Sequence, residues 1–438
     1  MATNRTPTIV NLNTSVASAS QPSTIQQTGA IVSTGGTTIT TNAKQYVASL
    51  SQGTALVVAA LALASLSWAG NTVTATAEAA IGLASGETFT VVIAGASPAG
   101  FNGTYTATVT GTDTFTYPLA VNPGTETAPG TYTPPSAGFV IDALTTWFAQ
   151  GNQIGVTLVE LGTQASNSAA IAALETWIND YDNPQSIYSY LVPGSWDVDQ
   201  STALNAMAAN YSSNAGCRYF FVTTTQAHLS AYTNKAVWGV VPSPTQQTAE
   251  HQAASVMYQW NVNNPGPANQ LAPMSYRQLL GITPWSQSGN GVAIDAILSA
   301  NGNIGLIGAE GGLTNTYLYD GLTMDGTQGS VWYGIDWVQI QVKQALAAAI
   351  INGSNQQPPL LYNQQGINTL EQVAQQVANN AVAYGCALSA TVSAIPFTTY
   401  TTDNPDDYAA GIYNGLSCVM QTQTGFLSIT FNLTALQS

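Results

Sequence analysis

The order of apolar and polar positions divides the chain into stretches that predict different elements. Near the N-terminus Val10, Leu12 and Val16 share one parity, next to Ile9, while Asn11, Asn13 and Ser15 take the other. That pattern predicts one face of an extended strand. No hairpin partner follows it, so residues 1–42 read as an extended linking arm. Residues 43–67 predict a helix, and the Ala-rich run TALVVAALALASLSW at 54–68 predicts that it is buried. Between 69 and 138 the pattern turns to short Thr/Val alternations broken by Gly and Pro: NTVTATAEA, ETFTVVIAG, GTYTATVTG, DTFTYPLAV. These predict a small all-β, sandwich-like domain. It interrupts two helical patterns and therefore reads as an insertion on the outside of its host.

From 139 to 265 strand and helix patterns alternate. GVTLVEL (155–161), SIYSYLV (186–192), RYFFVTT (218–224) and AVWGVVP (236–242) are apolar runs of buried-strand length. Ile171, Leu174 and Ile178 stand at helix spacing within 166–180, and ALNAMAANY and AEHQAASVMYQW fill the later helix slots. With 43–68, this predicts an α/β domain on a largely parallel sheet. Residues 266–419 form a further α/β domain. It opens on a loop and carries a helix at 334–351 that Asn352-Gly353 ends. A second helix has Asn368 and Glu371 at capping-box spacing, one face of Leu370, Val373, Ala374, Val377 and Ala381, and Gly385 after it. In 420–438, Leu427, Ile429, Phe431 and Leu433 alternate with polar residues and predict a one-faced terminal strand. The fold class is α/β (α+β) and multi-domain.

Composition changes the picture at the surface. The 438 residues leave room for two to four domains, and 45% hydrophobic residues suffice for a core. Only 6% are charged, against about 25% in ordinary soluble domains. Six basic against 21 acidic residues give a net charge of −15. That argues against binding to nucleic acid or to an anionic membrane through a basic surface. So few charges make a weak barrier against association, which predicts a surface covered by copies or partners. A secreted, protease-resistant protein is the other reading of the same composition. The N-terminus lacks a charged stretch followed by an apolar one, so no secretory signal is expected. The 54–68 run is too short for a membrane span of about 20 residues. Cys217, Cys386 and Cys418 are odd in number and form no CxxC pair, as expected of reduced structural thiols made in a cytoplasm.

Candidate chemistry is sparse. His228 and His251 stand in helical contexts without a motif, and no phosphate loop, HExxH or GxSxG is present. Asp180/Asp182, Asp197/Asp199 and Asp406/Asp407 lack the spacing of a calcium loop, so turn chemistry is expected of them. Spacing leaves open a glycosidase with two distant carboxylates. The Trp and Tyr residues sit mostly in apolar runs, however, where they predict core. No catalytic residue, metal or cofactor is expected. Both chain ends are strand-like without a neighbour. Their unpaired N–H and C=O groups are satisfied either by strand addition to another subunit or by pairing within the chain.

PMSYRQLLGITPW (273–285), YDGLTMDGTQGSVWYGIDWVQIQVKQALAAAI (319–350), NTLEQVAQQVANNAVAYG (368–385) and YNGLSCVMQTQTGFLSITFNLT (413–434) follow one another in an order that resembles the contractile tail sheath proteins of myovirus-type bacteriophages. Asp336-Trp337 stands at that family's aspartate–tryptophan helix. The resemblance implies a tail-sheath-like body, with the inserted domain facing outward and 266–419 facing a tail tube. It implies stacked sixfold rings linked by donated strands, through Ile9, Val10, Leu12 and Val16 at one end and Leu427, Ile429, Phe431 and Leu433 at the other. Contraction between two packings of the same subunit would drive the tube through the host envelope. The implied partners are further copies, a tail tube protein, and baseplate and tail terminator proteins, without direct nucleic acid or membrane insertion. The implied location is the virion, assembled in the host bacterial cytoplasm. Arg277 and Lys343 are the basic residues of the tube-facing loop and helix, so a tube contact of mostly polar and apolar character is expected. Other readings are a surface-layer or adhesin-type protein, a tail polysaccharide hydrolase, and the sheath of a bacteriocin or secretion machine.

Overall fold

The computed structural model describes residues 22, 24–83, 85–213, 216–247, 249–308 and 314–429. Its first strand, β1 (Gly29–Ser33), is buried at every position. It is followed by β2 (Lys44–Val47) and the short helix α1 (Leu50–Thr54). Six strands come next: β3 (Leu61–Ala69), β4 (Thr72–Ala77), β5 (Thr88–Ala94), β6 (Gly103–Val109), β7 (Thr114–Pro118) and β8 (Thr131–Tyr132). The chain then alternates through α2 (Pro135–Gln150), β9 (Val156–Glu160), α3 (Asn167–Tyr181), β10 (Ser189–Leu191), α4 (Ser195–Asn210), β11 (Tyr219–Thr223), β12 (Val237–Val240) and α5 (Gln252–Asn261).

The body sheet has the order β12-β11-β10-β1-β9-β2. Every neighbouring pair is parallel except β2 with β9 at the edge. Burial on both faces explains why its strands are continuous apolar runs. The predicted strands at 155–161, 186–192, 218–224 and 236–242 all lie in it. The arm predicted at 1–42 is corrected in its second half. Ile31 pairs with both Leu158 and Leu191, so β1 is a central strand of the body.

The helix expected at 43–67 is also corrected, because most of the Ala-rich run is strand β3. A bulge between Leu63 and Ser65 breaks the alternation, so that the buried residues are Leu63 and Leu66. A spacing of three imitates a helix face. The inserted unit therefore starts at 61, not 69. It is a closed barrel, β3-β4-β7-β6-β5-β8, not a sandwich. Phe89, Phe115, Tyr117 and Tyr132 fill its interior, and closure leaves no free strand edge. Leu61 and Tyr132 are register partners, so the barrel begins and ends at one point. Replacing 61–132 with a short Gly/Ser linker is expected to leave the body folded and its unfolding free energy within about 1 kcal/mol of the parent. Circular dichroism and denaturant titration check this.

The remaining elements are α6 (Gly291–Ser299), β13 (Ile304–Ile307), β14 (Thr316–Tyr319), α7 (Gly329–Ser354), α8 (Gln364–Ala383), β15 (Ala387–Ala394), α9 (Phe397–Asp403), α10 (Pro405–Ala410) and β16 (Leu416–Thr422). The boundary expected at 265 does not separate two cores. Met274, Trp285, Ile304, Leu318 and Tyr333 pack into the body core, and a separate small core begins only at Trp337. Helix α7 continues through Asn352-Gly353, and α8 begins a turn earlier than the capping-box spacing suggests. Its cap is Asn363, whose Oδ1 accepts from the Gly366 amide at 2.9 Å. Ala374, Val377 and Ala381 are buried, and Gly385 ends the segment at φ +73°.

Candidate functional site

Two antiparallel strands, β15 and β16, form a sheet of their own against α8. The outer edge of β15 is closed by side chains of α8. Gln375 accepts from the Val392 amide at 2.7 Å and donates to the Ala390 carbonyl at 3.3 Å, and Glu371 accepts from the Ala394 amide at 3.1 Å. Glu371 thus caps a strand edge, not its own helix. The bonds also fix which backbone groups of β16 point outward. Ala390, Val392 and Ala394 face Met420, Cys418 and Leu416. Their N–H and C=O groups turn away from the sheet on β15, so those of Met420, Cys418 and Leu416 turn away on β16. No other described strand pairs with that edge. Val419, 76% exposed, stands in the same strand.

Beside this edge runs an open groove of about 1050 Å³. Val338 and Val342 of α7 line it, with Cys418 of β16, Cys217 before β11, Lys343, and Ile25 at the root of the N-terminal segment. Asp336 lies in the same groove and is 4% exposed. Its Oδ2 accepts hydrogen bonds from the Tyr188 and Tyr219 hydroxyls, each at 2.8 Å. Burial pushes this carboxyl up to about 6, against the pull of the two hydroxyls and of Lys235.

The predicted strand-donation residues fall in different places. Ile9, Val10, Leu12, Val16, Phe431 and Leu433 lie outside the described residues. Leu427 and Ile429 are described but not in a strand; they are 38% and 88% exposed. Their segment leaves the body across Tyr276, Tyr317 and Tyr319. It is pinned there by Gln328, which accepts from the Gly425 amide at 2.7 Å and donates to its carbonyl at 3.1 Å, and by the Tyr276 hydroxyl, which donates to the Leu427 carbonyl. The terminal strand expected at 420–438 thus reduces, among the described residues, to the end of β16 and this extended tail. The local signal for β16 is slight: Leu416, Cys418 and Met420 share one parity, with Ser417, Val419 and Gln421 on the other.

Of the two basic candidates, Arg277 is half-buried and tied into its own loop. Its Nε donates to the Pro273 carbonyl at 3.1 Å and its Nη2 to Asn263 Oδ1 at 2.5 Å. Lys343 is exposed on the groove side of α7. Asp182, Asp197 and both histidines are engaged structurally. Asp197 accepts from Thr224 and Tyr232 and pairs with His228 Nδ1 at 2.8 Å. Asp182 holds Lys44, Arg218 and Tyr190. His251 caps α5 by accepting from the Ala254 amide, and burial pulls its imidazole down to about 4. Among the described residues no three metal-ligating side chains converge.

The chain is a multi-domain α/β protein with an inserted β-barrel. No known protein family matches its sequence, and no curated protein does. Among solved structures it is similar to a sheath tail protein of Listeria innocua, at 10% identity and a TM-score of 0.43 over 85% of this chain and 90% of that one. A sheath tail protein of Desulfitobacterium hafniense is similar at 12% identity and a TM-score of 0.41 over 87% and 93%. A chain of the anti-feeding prophage baseplate in its contracted state is similar at 12% identity and a TM-score of 0.48 over 99% of each.

Proposed function

We propose that the chain is a structural subunit of a contractile tail sheath. Copies stack as sixfold rings around a tail tube, held together by strands lent between neighbours. The observation that carries this reading is the outward edge of β16 beside an apolar groove. An extended segment laid along Leu416, Cys418 and Met420 satisfies their outward N–H and C=O groups. The segment 9–16 suits that place, because Val10, Leu12 and Val16 would face the groove while Asn11, Asn13 and Ser15 face water. The low-charge surface supports the same reading. Contraction is then a change of packing that hydrolyses no nucleotide, with the arms keeping the mesh connected. The barrel faces outward, the α7–α8 side faces the tube, and the assembly ends on baseplate and terminator proteins in a phage virion.

Negative-stain electron microscopy of the full chain at several concentrations tests this. Hollow tubes with sixfold end views are expected. Planar sheets would indicate a surface layer, and a persistent monomer would overturn the reading. Cys418→Pro removes an outward donor of β16 and no ladder bond to β15. It is expected to give a folded protein that forms no tubes.

A further inference from the structure

The groove and the root of the N-terminal segment meet at one carboxylate. Tyr188 precedes β10 and Tyr219 opens β11, so two neighbouring strands of the body hold α7 through a single oxygen of Asp336. Gln26 completes the cluster. Its Nε2 donates to the Tyr333 carbonyl of α7 at 3.0 Å and to the Tyr188 hydroxyl at 3.4 Å, and its own carbonyl accepts from Asn261 at 3.0 Å. Body sheet, long helix and arm root are therefore fastened together at a point that opens onto the groove.

We propose that Asp336 is a proton-dependent latch: taking up a proton tightens the docking of α7 and of the arm root onto the body sheet, and releasing it loosens them. The groups facing Asp336 are the hydroxyls of Tyr188 and Tyr219, the Tyr333 ring, the Cys217 thiol, Lys235 over the Trp332 ring, and Lys343 farther along the groove. Burial raises the three tyrosines well above their ordinary range and pushes the thiol up to about 12. None of those four titrates near neutrality, which leaves the carboxyl at about 6. Undocked and wet, the same carboxyl returns to about 3.9. The docked form therefore binds the proton more tightly. Docking gains strength as pH falls through about 6 and on toward 4, and it is weakest above about 7. In an assembling subunit the arm root would be freest at neutral pH and clamped in acid. That consequence rests on the sheath reading; the latch itself does not.

Hydrogen exchange of the full chain, read by mass spectrometry and corrected for intrinsic rates, tests the latch. Peptides covering 24–33 and 329–342 are expected to open about tenfold less often at about pH 5 than at about pH 7.5. Asp336→Asn is expected to remove this dependence. Tyr219→Phe, which takes away a bond that favours the charged form, is expected to move the transition to higher pH. Equal protection of the wild type at both pH values would overturn the latch. So would a tenfold change that persists in Asp336→Asn, or a transition that Tyr219→Phe leaves in place. Tubes scored in the same samples report on the sheath reading separately, since the exchange measurement needs no assembly.

Discussion

Deleting residues 1–20 is expected to yield a folded subunit that forms no tubes, whereas deleting 1–42 is expected to yield no soluble fold. The first cut ends before the earliest described element and removes the candidate strand at 9–16. The second cut removes β1, on which both β9 and β10 pair. It exposes the backbone edges of two buried strands and the space filled by Ala30, Ile31 and Val32, each 0% exposed. Fully burying a side chain such as Ile or Val is worth about 1.5–3 kcal/mol. Each orphaned buried backbone group costs about 1–3 kcal/mol. Against a typical net stability of about 5–15 kcal/mol, losing the middle strand is not survivable. Soluble yield, circular dichroism and electron microscopy of the two truncations check this. Normal tubes from the 1–20 deletion would remove the arm from the assembly mechanism. Removal of the last twelve residues tests the other arm in the same way.

Glu160→Ala is expected to destabilise the body by about 3–5 kcal/mol. The side chain is 1% exposed at the end of β9 and satisfies five donors. Oε1 accepts from the amides of Gly35 at 2.6 Å and Gly162 at 2.7 Å. Oε2 accepts from Ser33 Oγ at 2.8 Å, the Thr37 amide at 3.0 Å and Thr37 Oγ1 at 2.8 Å. These bonds shape the turn that carries the chain out of β1, where Gly35 has φ +83°. Without the carboxylate the donors are left buried and unpaired. Glu160→Gln replaces one acceptor oxygen with a donor and is expected to cost nearly as much. Denaturant titration checks both variants, and a loss below about 1 kcal/mol would contradict the account.

Local pattern determined a good deal of this molecule. The apolar runs at 155–161, 186–192, 218–224 and 236–242 are strands of a parallel sheet because burial on both faces demands such runs. The spacing of Ala374, Val377 and Ala381 marks the buried face of α8. Tertiary structure alone decided the rest. A strand pattern does not name its partner, so β1 read as part of an arm until Leu158 and Leu191 closed on it. A bulge gave β3 the spacing of a helix, and only the partner strands of the barrel show the shift. Glu371 obeyed the rule for a helix cap, yet a strand amide lay within reach and took it. Asp336 stood out in the sequence only as half of Asp336-Trp337 in the tail-sheath resemblance. Its burial, its two tyrosine partners and its raised pKa come from strands far away in the chain. Local geometry sets which groups need a partner, and packing over the whole chain sets which partner each one meets.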